Sequence, residues 1–496
     1  MNIKNKTILA HVFHYASAQY FSQFLGFFTS IMLRKFLGPV SMGIWSMLNV
    51  IKGYVGYATL GVASAVPYKL PILKGQGKFE EIRSLTSVIF NYITLVTFVC
   101  STGVMVYALI FKGTLSKEVF VGLLMLAILL VAQRIYTYYI TLLRANRNFG
   151  VLSKDIVFDA VLNLFLMILI VSKFRLYGFY LVLILTPILN VIFIRRYVTY
   201  DLRFSFDLKG IFGHIKYVLP LCINGVLDQI LHSIDKIMIA SMLGLEQLGF
   251  YSIALMTETY GTGIARNFSI VIQPHFLEDF GANGLEKSSQ QVVLYSQVTA
   301  YFMAIFLSLT FIFAPVLVVY VLPAFIPGIM SLQIFLLAIF FFTITPYSNN
   351  LLVALEKQSK LIPITILSIL VNISLNYLFI KKGYGINGVA LATAISAFVS
   401  FCVLSGYALA HCRRKVIIAS LIFKVISPLV YSVLCLAIVT MIKYQKYMIL
   451  EAMFRAAVFM VFVLPLIVFI DKKTNVVKLL WKIFSEKMGW KAAHHE

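Results

Sequence analysis

The chain has 496 residues, of which 60% are hydrophobic and 12% charged, and its formal net charge is +23. So few charges cannot clothe a water-soluble body of this size, which excludes a soluble enzyme as the main architecture. Apolar stretches of about 20 residues, the length that crosses a bilayer, recur along the whole chain and predict an all-α polytopic membrane protein.

Fourteen spans are predicted, at residues 12–33, 43–68, 85–111, 118–143, 156–172, 178–194, 217–243, 249–273, 292–322, 328–355, 361–380, 386–411, 416–442 and 448–471. The first is long, carries His11, His14, Gln19 and Gln23, and ends at Arg34-Lys35-Phe36-Leu37-Gly38. It reads as a span because a signal peptide would end at a small-residue cleavage site.

Ionisable groups inside a span are costly against lipid and normally face a bundle interior or a water-filled cavity. In the second span, helical spacing puts Trp45, Asn49, Lys52, Gly56 and Thr59 on one face, a polar stripe suited to lining a cavity and meeting substrate. In the fourth span Arg134, with Thr137, Tyr138 and Thr141 on its side, is a further substrate-binding cation or a partner of Asp155 or Asp159. The seventh carries Asn224, Asp228, His232 and Asp235 in a stripe that suits a coupling proton or sodium ion, or an ion pair. The eighth carries Glu258 and, two turns on, Arg266, whose guanidinium suits a diphosphate. Lys424, Glu451 and Arg455 in the last two spans read as packing or interfacial charges.

The basic residues are sorted by side. With the N-terminus placed in the cytoplasm, 26 of the 42 Lys and Arg fall on cytoplasmic segments, 10 on outer loops and six within spans. This bias predicts both termini inside, because basic residues resist translocation. The charge is thereby explained without nucleic acid. The tail, with Lys472, Lys473, Lys478, Lys482, Lys487 and Lys491, is expected to lie on anionic lipid. The five cysteines, Cys100, Cys222, Cys402, Cys412 and Cys435, are odd in number and have no metal-ligand spacing, so they read as packing residues.

An internal repeat organises the spans. Leu37-Gly38 and Gly43-Ile44-Trp45-Ser46 match Leu243-Gly244 and Gly249-Phe250-Tyr251-Ser252 at a separation of 206 residues. Leu142-Leu143-Arg144-Ala145 faces Leu351-Leu352-Val353-Ala354, and Asn163 faces Asn372, both at 209; Tyr177-Gly178 faces Tyr384-Gly385 at 207. The chain therefore divides into 1–200 and 201–412, each of six spans, and 413–496 with two further spans and the basic tail. Six is even, so the halves are parallel repeats, an arrangement whose substrate site lies between halves that rock. By the same symmetry Lys52 and Glu258, 206 residues apart, are predicted to face and couple with one another.

The Leu-Gly-Pro-x-x-x-Gly-Ile-Trp-Ser turn at 37–46, together with the run from Asp235-Lys236 to Ala254, resembles the polysaccharide-repeat flippases of the multidrug/oligosaccharidyl-lipid/polysaccharide exporter superfamily. That resemblance covers the whole chain. It implies two six-helix bundles in a V around a central cavity, two extra C-terminal helices, and a place in the cytoplasmic membrane. It also implies movement of undecaprenyl-diphosphate-linked O-antigen, capsule or teichuronic-acid units to the outer leaflet, alongside polysaccharide polymerase machinery. Flippases of peptidoglycan precursor use cavity cations, an idea carried here onto Lys52 and Arg266. The competing readings are peptidoglycan-precursor flippase, ion-coupled multidrug exporter, and membrane glycosyltransferase or polymerase. The last is disfavoured because loops reach only about twenty residues and no Asp-x-Asp, His-Glu-x-x-His or P-loop pattern is present. No cofactor is expected beyond the coupling ion.

Overall fold

Residues 3–198, 219, 222–410, 415–441 and 448–474 are described by a computed structural model of the chain. They are 92% helical, with no strand among the described residues. The helices are α1 (Ile3–Tyr57), α2 (Ala65–Gly75), α3 (Phe79–Ile110), α4 (Lys117–Ala145), α5 (Phe149–Leu166), α6 (Ser172–Arg195), α7 (Ile234–Met242), α8 (Leu245–Val321), α9 (Ile329–Ala354), α10 (Leu361–Lys381), α11 (Gly385–Ala410), α12 (Lys415–Met441) and α13 (Met448–Thr474). Residues 222–231 are also helical.

Among the described residues nine helical segments, all from Phe79 onward, are long and apolar enough to cross a membrane. The chain is a polytopic all-α membrane protein; the predicted number of fourteen spans is not established. The differences from prediction lie at breaks. The first two predicted spans run together in α1, interrupted only at Gly38 (φ 74, ψ 176) ahead of Pro39. Glycine takes that conformation without a Cβ clash, and proline removes a hydrogen-bond donor. The second span stops at Tyr57 instead of 68, because Leu60 and Gly61 both have positive φ and turn the chain into the short α2. A π-helical turn, Met167–Val171, joins α5 to α6, and the chain reverses at Arg175 (φ 47).

The structure falls into two compact units. One comprises Met1–Tyr260, Val321–Leu332 and Ser359–Ser396; the other comprises Gly261–Tyr320, Gln333–Gln358 and Ala397–Glu496. In the first, Val62, Val66 and Leu70 pack on Ile89, Ile93, Tyr138 and Leu142, and Tyr138 donates to the Thr86 carbonyl at 2.6 Å. A second core joins Tyr139, Leu143, Leu152 and Ile194. In the other unit α12 and α13 pair through Cys435, Val439, Phe459 and Val463 against Ile312 of α8, and Tyr431 donates to the Phe462 carbonyl at 2.6 Å. Arg455 pairs with Glu451 at 2.6 Å, as expected of packing charges. Cys100, Cys222, Cys402 and Cys435 are free thiols; Cys412 lies outside the described residues.

The repeated Leu-Gly-x-x-x-x-Gly segments meet inside the first unit. A Cβ on Gly43 would collide with the Leu245 carbonyl, and a Cβ on Gly249 would collide with the Pro39 carbonyl. Leu245 and Gly249 follow Pro39 and Gly43 by 206 residues each, so the contact is reciprocal. The pairing around it is reciprocal too. The first predicted span meets the eighth, with Phe27 edge-on to Tyr260 at 5.3 Å and Arg34 donating to the Ser252 carbonyl at 2.7 Å. The second meets the seventh, with Tyr54 and Ser233 hydroxyls 2.8 Å apart and Gly225 under the Tyr57 ring.

Candidate functional site

Lys52 lies on the part of α1 that follows the Gly38 break, held in place by the contacts of Tyr54 and Tyr57 just described. Its ammonium stands 5.4 Å from the centroid of the Trp45 ring, two turns back. A cation over an indole face is attracted by the ring quadrupole, but the ring supplies no acceptor oxygen. Lys52 is half-buried and has no hydrogen bond or ion pair among the described residues. Asn49, on the intervening turn, is exposed. Thr59 leaves the predicted stripe: the helix has already ended, and its buried hydroxyl turns back to the Gly56 carbonyl at 3.5 Å.

Gly53 and Gly56 connect Lys52 to its surroundings. Gly53 abuts the Gln229 amide. The Gly56 carbonyl accepts from Arg134 Nη2 at 3.2 Å, while Arg134 Nε donates to Thr97 at 3.0 Å. The guanidinium thus bridges α3 and α1. The alternative pairing of Arg134 with Asp155 or Asp159 is not formed among the described residues; the guanidinium is directed to Thr97 and Gly56 instead.

The acidic side of the site gathers on His232. Its Nδ1 lies 3.2 Å from Glu258 Oε1 and its Nε2 lies 3.7 Å from Asp228 Oδ1. An imidazole with a carboxylate at each nitrogen is placed to carry a second proton between them. The expected Lys52–Glu258 pair is therefore corrected. Glu258 turns to His232, which the break at 232–233 swings out of the regular helix, and no ion pair joins Lys52 to Glu258 among the described residues. Lys236 caps the same turn by donating to the His232 carbonyl at 2.6 Å.

Asp235 is buried apart from these. Its Oδ2 accepts from Tyr251 at 3.2 Å, and its Oδ1 accepts the Lys236 amide at 2.7 Å. The Tyr251 hydroxyl also bonds Thr393, which receives the Asn372 amide at 3.4 Å; Asn376 donates to Asn372 at 2.8 Å. Asn224 lies on the 222–231 helix, half-buried, with partners of its own. Arg266 lies within α8, but its side chain is outside the described ones.

Sequence reasoning missed Arg34, which is 6% exposed and spends Nη1 on Ser30 Oγ at 2.6 Å and Nη2 on the Ser252 carbonyl. It read as a loop charge because it ends an apolar run. It also missed the Asn372–Asn376–Thr393 network, whose signal was the Asn163/Asn372 repeat match: Asn163 also pairs with a threonine, accepting from Thr186 at 3.4 Å where Asn372 donates to Thr393.

The polysaccharide biosynthesis protein family model matches residues 8–280, more than half of the chain and the part that carries Lys52, Arg134, His232 and Glu258. The chain belongs to that family. Among solved structures it is similar to the lipid II flippase MurJ in an inward closed conformation, at 16% identity and a TM-score of 0.67 over 91% of this chain and 99% of that one. An inward-facing multidrug resistance MATE family transporter of the MOP superfamily matches at 13% identity and 0.67 over 80% and 95%. A MOP superfamily transporter from Pyrococcus furiosus, described as having a binding pocket of reverse polarity, matches at 16% and 0.52 over 83% and 93%. No curated protein matches significantly in sequence. At these identities the structural likeness establishes the fold alone: a polysaccharide biosynthesis family member with a MurJ- and MATE-like helical framework.

Proposed function

We propose that this protein flips a polyprenyl-diphosphate-linked oligosaccharide repeat unit from the cytoplasmic to the outer leaflet of the cytoplasmic membrane, by alternating access, for cell-surface polysaccharide synthesis. The observation that carries the reading is Lys52: a half-buried ammonium beside Trp45, in a helix of a polysaccharide biosynthesis family member, with no anion paired to it among the described residues. A diphosphate supplies the missing anion. Arg134 and Asn49 extend the polar surface on this side, and Arg266, whose side chain lies outside the described ones, is a further guanidinium suited to a diphosphate. Residues 1–200 and 201–412 act as the two halves and 413–496 as an appendix, with both termini cytoplasmic. Asp228, Glu258, His232 and Asp235 take up the coupling ion, a proton or sodium.

Purified protein in liposomes should move a polyprenyl-diphosphate oligosaccharide across the bilayer, measured by accessibility of the glycan to an external enzyme. Lys52→Ala should lower that rate about ten- to a hundredfold, the worth of about 1.5–3 kcal/mol in a charge-assisted contact. Lys52→Arg should keep most of it. Movement of peptidoglycan lipid precursor or of a cationic drug in place of the oligosaccharide lipid would replace this cargo with another, and wild-type rates in Lys52→Ala would remove Lys52 from the route.

A further inference from the structure

Away from that site, α4, α5 and α6 enclose a second set of polar side chains. Asp155 and Asp159 stand one turn apart on α5. Tyr136 of α4 donates to Asp155 Oδ2 at 2.8 Å. Asp159 Oδ1 accepts the Asn163 amide at 3.0 Å and the Asn190 amide of α6 at 2.5 Å. Asn190 thus ties α6 to Asp159, and Tyr136 ties α4 to Asp155. Two atoms are left without a partner among the described residues: Asp155 Oδ1 and Asn190 Oδ1. Both residues are 0% exposed.

Both orphan atoms are acceptors, and acceptors cannot satisfy each other. Leaving one buried acceptor unfilled costs about 1–3 kcal/mol, and an unpaired buried charge costs more. Among the described residues no ion pair is formed with either carboxylate. Arg134 is committed to Thr97 and Gly56, and Lys154 of α5 is exposed and stands over the Tyr197 ring at 4.7 Å. The other titratable groups packed around α5 include Tyr136 and Tyr139 from α4 and, from α1, Tyr15 and His14, the last lining a cavity with Gly150, Ser153 and Lys154 at the start of α5; α6 contributes Asn190 and Thr186. What the cluster lacks is a single donor hydrogen.

We propose that Asp155 is a proton-binding site: its unpartnered Oδ1 carries a proton in the folded protein, while Asp159 stays ionised between two amides. The balance is one proton taken from water on the side to which the site opens and returned to water. A sodium ion fits less well, since Tyr136, Asn163 and Asn190 already aim donors at the carboxylates and would have to turn away. A π-helical turn follows within four residues of Asn163, a backbone irregularity that recurs at functional sites. The second half has no equivalent pair, because Ile364 and Ser368 stand 209 residues after Asp155 and Asp159. Ion uptake here alters contacts that hold α4, α5 and α6 together, which is what couples binding to a change of state.

The test is infrared difference spectroscopy on the full chain in lipid nanodiscs, in potassium buffer without glycan, so that its outcome is independent of the cargo. A carboxylic acid carbonyl band should be present at neutral pH, should shift on selective ¹³C-aspartate labelling of the wild type, and should vanish in Asp155→Asn but persist in Asp159→Asn. An unlabelled band, no band in the wild type, or a band unchanged in Asp155→Asn overturns the proposal. Loss of the band when sodium replaces potassium identifies a sodium site and overturns the proton assignment. The wild-type labelling shows whether an aspartate carries the proton, and the contrast of Asp155→Asn with Asp159→Asn, with Asp155→Glu shifting the band to the glutamic acid position, shows whether it is Asp155.

Discussion

Lys52, Glu258 and His232 show how a charge inside the membrane is read and where the reading stops. Each was visible in the sequence because it interrupts an apolar run, and desolvation makes such interruptions functional candidates. The partner was not visible, since symmetry between repeats places residues on matching helices without fixing which side chain reaches which. His232 reaches Glu258 at 3.2 Å because the helix breaks beside it, and a break of two residues leaves no mark in hydrophobic periodicity. A double-mutant cycle on thermal stability or transport separates the pairs. His232→Ala with Glu258→Ala should show a coupling of about 0.5–3 kcal/mol, whereas Lys52→Ala with Glu258→Ala should be additive within about 0.5 kcal/mol. The charge swap Lys52→Glu/Glu258→Lys should give no rescue, and rescue would restore the direct pairing that the geometry denies.

Helices were legible as elements and less so in their ends. Residues 79–110 and 117–145 emerge close to the predicted spans because long apolar runs leave little choice. The break after Tyr57 was missed, since Ala58 to Gly61 is as apolar as what precedes it and only the positive φ at Leu60 and Gly61 stops the helix. The glycines of the repeated motif have an element-scale task that the spelling alone did not disclose. Gly43 and Gly249 let two helix starts cross with each backbone against the other's carbonyl, an approach that any side chain forbids. Gly43→Val or Gly249→Val should therefore lower stability by about 1–3 kcal/mol, the usual cost of overpacking, read as a fall in melting temperature of the purified protein. Gly56→Val is the control, because open space surrounds that Cβ position. Equal melting temperatures for all three would mean that the crossing yields without strain.

At the scale of the whole chain, the duplication reaches beyond sequence identity into backbone detail. Arg147 and Glu356, 209 residues apart and chemically unlike, both adopt φ 57. The turns around them repeat the same bonds: Asn148 N to the Leu143 carbonyl at 2.9 Å and Lys357 N to the Leu352 carbonyl at 2.9 Å, each preceded by a bond of 3.0 Å from Arg147 N to the Arg144 carbonyl or from Glu356 N to the Val353 carbonyl. Two copies of one element thus persist where the letters have diverged, and the match at Leu142 to Ala145 was the trace left in the sequence. Parallel and inverted duplications make opposite predictions about these turns. In a parallel repeat the loops after α4 and after α9 face one side, and the loops before α4 and before α9 face the other. The bias of Lys and Arg puts the former in the cytoplasm. In a variant without its native cysteines, an impermeant maleimide applied to intact cells should label Thr114→Cys and Ala324→Cys, both exposed, and should leave Asn148→Cys and Lys357→Cys unlabelled until the membrane is opened. Labelling of Thr114→Cys and Lys357→Cys together would mean that the second copy is inverted, and the rocking of parallel halves would then have to be given up for a different cycle.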